Sequence, residues 1–178
     1  MKINHISITS ATALNLDFTV TAPICVLHGR YSDLALDLIR EVIGDSAKND
    51  PDRVDDGRFV IHADVETDNK NYNVCYIRNA DFMGDNRIAV NFEPNSIRFS
   101  EDDTREFVAK RNEENDCPLF IYDAFDRLDE AVDVTPKINQ LSALEKQVFV
   151  AVCANYPVEK MKHDHLQIIN TEENHGEN

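Results

Sequence analysis

No stretch of this chain is apolar for long enough to span a membrane, which takes roughly 20 residues. The opening MKINHISITS alternates polar and apolar residues and lacks the continuous apolar segment of a secretion signal, so a cytoplasmic protein is expected. Cations are scarce: 18 Lys and Arg stand against 33 Asp and Glu, a formal net charge of −15. This balance argues against general affinity for nucleic acid or anionic lipid, both of which need a cationic footprint. An acidic decoy that fills a partner's DNA site is one reading of the excess; a solvated, soluble surface is the commoner one. Cys25, Cys75, Cys117 and Cys153 include no C-x-x-C pair, and three sit in or beside apolar runs, so buried free thiols in a reducing compartment are expected. His163 and His165 flank Asp164, too few ligands to assign a metal. There is no heptad run, long repeat or low-complexity linker.

What is present is a globular pattern. With 178 residues and 42% hydrophobic content, the chain can build one domain with a core. That domain is expected over residues 1–170, followed by a disordered polar and acidic tail over 171–178. Ile3, Ile6 and Ile8 suggest a first strand, and Leu14, Leu16, Phe18 and Val20 a second that pairs with it. Pro23 precedes an apolar strand, Ile24, Cys25, Val26 and Leu27. A helix over 32–43 follows, with Leu34, Leu38 and Ile39 on one face and Gly44 as its stop. Segments 58–65, 72–78 and 87–92 read as an antiparallel meander, joined by polar connections over 66–71 and 79–86. Residues 100–115 read as a helix, capped by Ser100 and carrying Glu101, Asp102 and Asp103 in its first turn. A strand over 119–122, a helix over 136–146 introduced by Thr135 and Pro136, a strand over 147–153 and an edge strand over 166–169 complete the pattern. Apolar strands separated by helices give an α/β fold with a parallel core, to which the early alternating segments add an antiparallel layer.

The junction of the third strand with the first helix carries the strongest chemical hint. Strand, His28-Gly29, helix is the setting of a phosphate-binding loop, G-x-x-x-x-G-K-[ST], whose amides and lysine wrap a phosphate. Counted from Gly29, the second glycine falls on Leu34, the lysine on Ala35 and the hydroxyl on Leu36. In the other register, with 32–36 aligned to the helix start, the loop is short. Either way the scaffold remains and the cradle is missing. Gly29, Arg30 and Ser32 are the weak candidates for a residual anion site on the helix start. The plainer reading is a loop filled by the protein's own side chains.

Four segments together resemble a known family. MKINHISITSATALNLDFTVTAPICVLHG is similar to a two-strand opening followed by the strand that feeds the phosphate loop. Phe99-Ser100-Glu101-Asp102-Asp103-Thr104-Arg105-Glu106 resembles a signature motif at a helix N-terminus. PLFIYDAFDRLDE resembles a Walker B strand and D-loop, and QVFVAVCANYP a strand leading to the switch. In this order they resemble the ATPase head of structural-maintenance-of-chromosomes, RecF and RecN-type proteins, within the ABC superfamily of P-loop ATPases. The resemblance spans roughly residues 1–170 and implies a P-loop NTPase-like parallel sheet core with an added antiparallel β layer and flanking helices. It leaves no room for the family's coiled-coil arm near residues 93–96.

The same resemblance locates what has changed. Hydrolysis of ATP needs a metal-binding acid, a water-positioning acid and cations on the γ-phosphate. If Asp123 holds the metal, Ala124 replaces the second acid. If Asp129 is the D-loop aspartate, the register preferred here, Tyr122 replaces the first acid and Asp123 takes the second role. Asp123 and Asp129 are thus vestigial catalytic positions in this resemblance, though with Asp126 the plainer reading is a solvated loop after a strand. The signature glycine falls among Glu101, Asp102 and Asp103, whose charge opposes a triphosphate, and the switch histidine falls on Cys153. A non-catalytic, pseudo-ATPase-like interaction module is the leading expectation, with a protein partner or a second copy bound and no cofactor. The alternative is a divergent protein that binds or hydrolyses ATP with Mg²⁺, using Arg30 or Lys110 in place of the lost lysine.

Overall fold

The computed structural model describes residues 1–10, 14–44, 58–79, 87–92, 99–113, 117–122, 135–161 and 164–172. The first strand, β1 (Lys2–Ser10), buries Ile3, Ile6 and Ile8. Residues 3 and 6 would face opposite sides of a regular strand. A register shift between Ile3 and His5, where Asn4 is the extra residue opposite β4 (Arg58–Thr67), restores the phase and turns all three isoleucines inward. β2 (Leu16–Thr19) pairs with β1, while β5 (Lys70–Asn79) and β6 (Arg87–Asn91) extend the sheet. The result is a five-stranded antiparallel sheet in the order β2-β1-β4-β5-β6. The polar connection expected over 66–71 is shorter than the sequence reading: the strands run to Thr67 and from Lys70, leaving only Asp68 and Asn69 in the turn. Their φ values of 49° and 60° are those of a type I′ hairpin, which both residue types tolerate.

The second sheet is parallel. β3 (Ile24–His28), β7 (Leu119–Tyr122), β8 (Val148–Val152) and β9 (Leu166–Asn170) lie in the order β7-β8-β3-β9. The two central strands are buried on both faces, as their unbroken apolar sequences require. Helix α1 (Ser32–Val42) lies between the sheets. Its Ala35, Leu36, Leu38, Ile39 and Val42 share one cluster with Ile6, Ile61, Val65 and Val74 of the antiparallel layer and with Cys25, Leu27, Phe149 and Ala151 of the parallel one. The opposite face of the parallel sheet packs Val26, Val148 and Val150 on Ile138 and Leu141 of α3 (Thr135–Ser142). Helix α2 (Glu101–Glu113) inserts Phe107 beside Tyr72, with ring centroids 5.2 Å apart. Ser100 caps it as expected, its hydroxyl accepting the Asp103 N–H at 3.2 Å. α3 ends at Ser142, four residues short of expectation, and Glu145 beyond it takes a φ of 54°.

Two glutamines fasten one sheet to the other. The Gln147 amide accepts the Ile3 N–H at 2.8 Å and donates to the Ile3 carbonyl at 2.6 Å. The Gln167 amide does the same with the Thr21 N–H and the Thr19 carbonyl, both at 2.8 Å. Each side chain stands in for a strand neighbour where the two sheets part. Two residues of the segment expected as a tail are placed against the parallel sheet. Thr171 is fully buried and Glu172 is placed against Gly29, whereas 173–178 lie outside the described residues. No helix among the described residues is long and apolar enough to cross a membrane.

Gln147→Leu leaves the Ile3 amide and carbonyl without partners and is expected to cost about 2 kcal/mol or more. Gln167→Leu, at a more exposed junction, should cost under about 1 kcal/mol. Urea denaturation of the two variants checks the order.

Candidate functional site

The parallel strands end together at one edge. In the registered sheet His28 stands opposite Val152 on one side and Asn170 on the other, so the chain leaving β3 is flanked by the exits of β8 and β9. This edge is where open α/β sheets hold their ligands. The sequence placed Gly29, Arg30 and Ser32 here, and the structure brings all three to the turn between β3 and α1.

Three amides of that turn and helix start, those of Gly29, Ser32 and Ala35, are committed to the protein itself. Gly29 donates its N–H to the Val152 carbonyl at 3.2 Å, which extends the β3–β8 ladder by one bond. Its carbonyl accepts the Ser32 N–H at 3.3 Å, and the Ala35 N–H is already bonded to Tyr31 at 2.9 Å. Gly29 adopts a φ of 127°, open to glycine and strained for other residues. A Cβ there would sit 2.9 Å from Thr171 Oγ1 and 3.2 Å from the Glu172 amide nitrogen. Thr171 fills this place through two bonds to one acceptor. Its N–H reaches the His28 carbonyl at 2.7 Å and its hydroxyl reaches the same oxygen at 3.0 Å.

The side chains leave little for an anion either. Arg30 is exposed, with its guanidinium 5.4 Å from the centre of the Tyr31 ring. Ser32 is buried, and Asp33 brings a carboxylate to the first turn of α1, where a bound anion would meet it. The Tyr122 hydroxyl, at the end of β7, donates to the carboxylate of Asp37, a buried residue of α1. In the preferred register Tyr122 stood where the metal-binding acid is lost, and the structure gives this residue a hydrogen bond across to α1. Asp123, Asp126 and Asp129 lie outside the described residues.

The other sequence candidates separate. Lys110 is bonded to Asp68 at 2.6 Å in the β4–β5 turn, and that turn and Pro23, which precedes β3, line one cleft. The lysine therefore sits at the other end of β3 from Gly29 and does not replace the missing one. Among the acids of α2, Glu101 pairs with Arg105, which also lies 3.8 Å from Asp102. Of the expected buried thiols, Cys25 and Cys75 are buried, Cys117 is half-buried and Cys153 is exposed. The difference at Cys153 is local: β8 ends at Val152, and the chain leaves the sheet with the next residue. His163 is outside the described residues, and among those described no three His, Cys, Asp or Glu are grouped to hold a metal.

Sequence reasoning missed His28 and Thr171. The His28 ring nitrogen Nε2 lies 3.1 Å from the Ala154 carbonyl, holding the β8 exit against the turn. Both contacts join residues more than a hundred positions apart, and no local pattern announces them. No protein-family model matches this chain, and no curated protein matches it in sequence.

Gly29→Ala is expected to destabilise the fold by about 1–3 kcal/mol, through backbone strain and the clash with Thr171. Chemical denaturation measures it, and a neutral substitution would mean the turn is looser than described. Burial pushes the Cys25 thiol up to about 12, so it should resist thiol reagents at neutral pH until the protein unfolds. Exposed Cys153 should react first, as peptide mapping after brief alkylation would show.

Proposed function

We propose that this protein is a non-catalytic, pseudo-ATPase-like α/β module of the cytoplasm that works by binding another protein or a second copy of itself. The observation that carries the reading is the closed turn after β3. A phosphate site needs free amides pointing at the ligand. Here the Gly29 amide is bonded to Val152, the Ser32 amide to Gly29, and the adjoining space to Thr171. The strand order supports the same reading, since the strand ending at Gly29 is interior and the strand ending at Tyr122 is separated from it only by β8. This is a frame in which a nucleotide could have been held, with its contacts turned inward. Apolar side chains exposed on the two outer strands of the parallel sheet, Leu119 and Tyr122 on β7 and Ile168 on β9, favour protein contact along its flanks.

A divergent ATP-binding protein is the competing reading. It draws on Arg30, the exposed cation beside the turn. Calorimetric titration with ATP and Mg²⁺ separates the two. The proposal expects no heat beyond dilution for the unmodified protein and for Arg30→Ala alike. A saturable micromolar signal that Arg30→Ala removes would overturn it.

A further inference from the structure

A second region, at the amino ends of the same parallel strands, combines three independent features. The first is a cleft of about 650 Å³, within the range of small-molecule sites. It opens between the start of β1, the connection before β3, the β4–β5 turn and the segment from the end of α3 to the start of β8. Gln147, part of the lining, has both ends of its amide engaged by Ile3.

The second feature is a buried hydroxyl. Ser142, the last residue of α3, lines the cleft, and its Oγ is buried with no hydrogen-bond partner among the described residues. Such a group is ordinarily satisfied by the carbonyl one turn back or by a ligand.

The third is backbone strain with charge beside it. Among the described residues three non-glycine positions have positive φ, and all three line this cleft. Asp68 and Asn69 are explained by their hairpin. Glu145, at 54°, is not: it stands just past a helix end where glycine or asparagine is usual. A non-glycine residue held in the left-handed region is strained, and such residues cluster at ligand sites. Glu145 and Lys2 both line the cleft, and among the described residues neither has an ion-pair partner. Glu66 and Asp68, the latter paired with Lys110, add two acidic residues and Lys146 a second basic one to the lining.

We infer that this cleft binds a small zwitterion, a free amino acid or a dipeptide. Its ammonium meets Glu145 and Glu66, its carboxylate meets Lys2 and Lys146, and rotation about the Ser142 Cα–Cβ bond brings its hydroxyl to a polar atom of the ligand. Opposite charges on the lining suit a ligand that carries both and penalise one that carries either alone. This site is independent of the turn at Gly29 and stands whether or not the protein binds nucleotide.

The test is a titration of the ¹⁵N-labelled full chain, followed by two-dimensional NMR, with pooled free amino acids and then pooled dipeptides. Acetate and methylammonium, added separately, are the controls. Saturable shifts at the amides of Lys2, Glu145 and Lys146, with Gly29 and Ser32 unmoved, are expected. Glu145→Gln, a change at an exposed residue that keeps the side-chain shape, should weaken binding about tenfold or more. Ser142→Ala, which keeps the cleft lining otherwise intact, should weaken it as well. The inference is overturned if neither pool shifts these amides, if acetate or methylammonium alone reproduces the shifts at the same concentration, or if Glu145→Gln binds as tightly as the parent.

Discussion

One carbonyl organises the edge at which this fold would do chemistry. The His28 oxygen accepts both the amide and the hydroxyl of Thr171, at 2.7 and 3.0 Å, while the next residue gives its own amide to Val152. Three strand exits are thereby tied into one knot, and the glycine at its centre has no room for a side chain. The Gly29 and Ser32 amides could turn to an anion only by breaking bonds already made, at roughly 1–3 kcal/mol for each buried group left unpaired. The space beside Gly29 is filled by Thr171 and Glu172, residues from the far end of the sequence.

That knot is possible because α1 is held from both sides. An amphipathic helix on a single sheet could shift along it. Here Leu36, Leu38, Ile39 and Val42 share a core with both sheets, and Gln147 and Gln167 pin the sheets to each other by side-chain amides. The rigidity of the turn is inherited from this packing. The outer strands of the parallel sheet leave Leu119, Tyr122 and Ile168 exposed.

Much of the framework was legible because its signals are local. The runs at β3 and β8 are apolar without interruption, and such runs are strands buried on both faces. The meander of β4, β5 and β6 carried its alternation openly, and Ser100 ahead of Glu101, Asp102 and Asp103 marked the start of α2. Errors arose where one residue decides the geometry. Ile3 and Ile6 differ in phase, and only the bulge at Asn4 reconciles them. A six-residue connection was read where Asp68 and Asn69 suffice, because both accept positive φ. Of the candidate site, the altered side chains could be read by counting from Gly29. The plug could not: Thr171 sits 143 positions from His28 in a stretch whose composition resembles a loose tail. Cys153 was assigned to the interior because its strand is apolar, yet the strand stops one residue before it.

Hydrogen exchange at two amides tests the closed turn most directly. Gly29 and Thr171 should exchange as slowly as Val26 in the middle of β3, opening only when the parallel sheet unfolds. Exchange of either amide at the rate of an exposed loop, with Val26 still protected, would show that the edge stands open and would contradict the account.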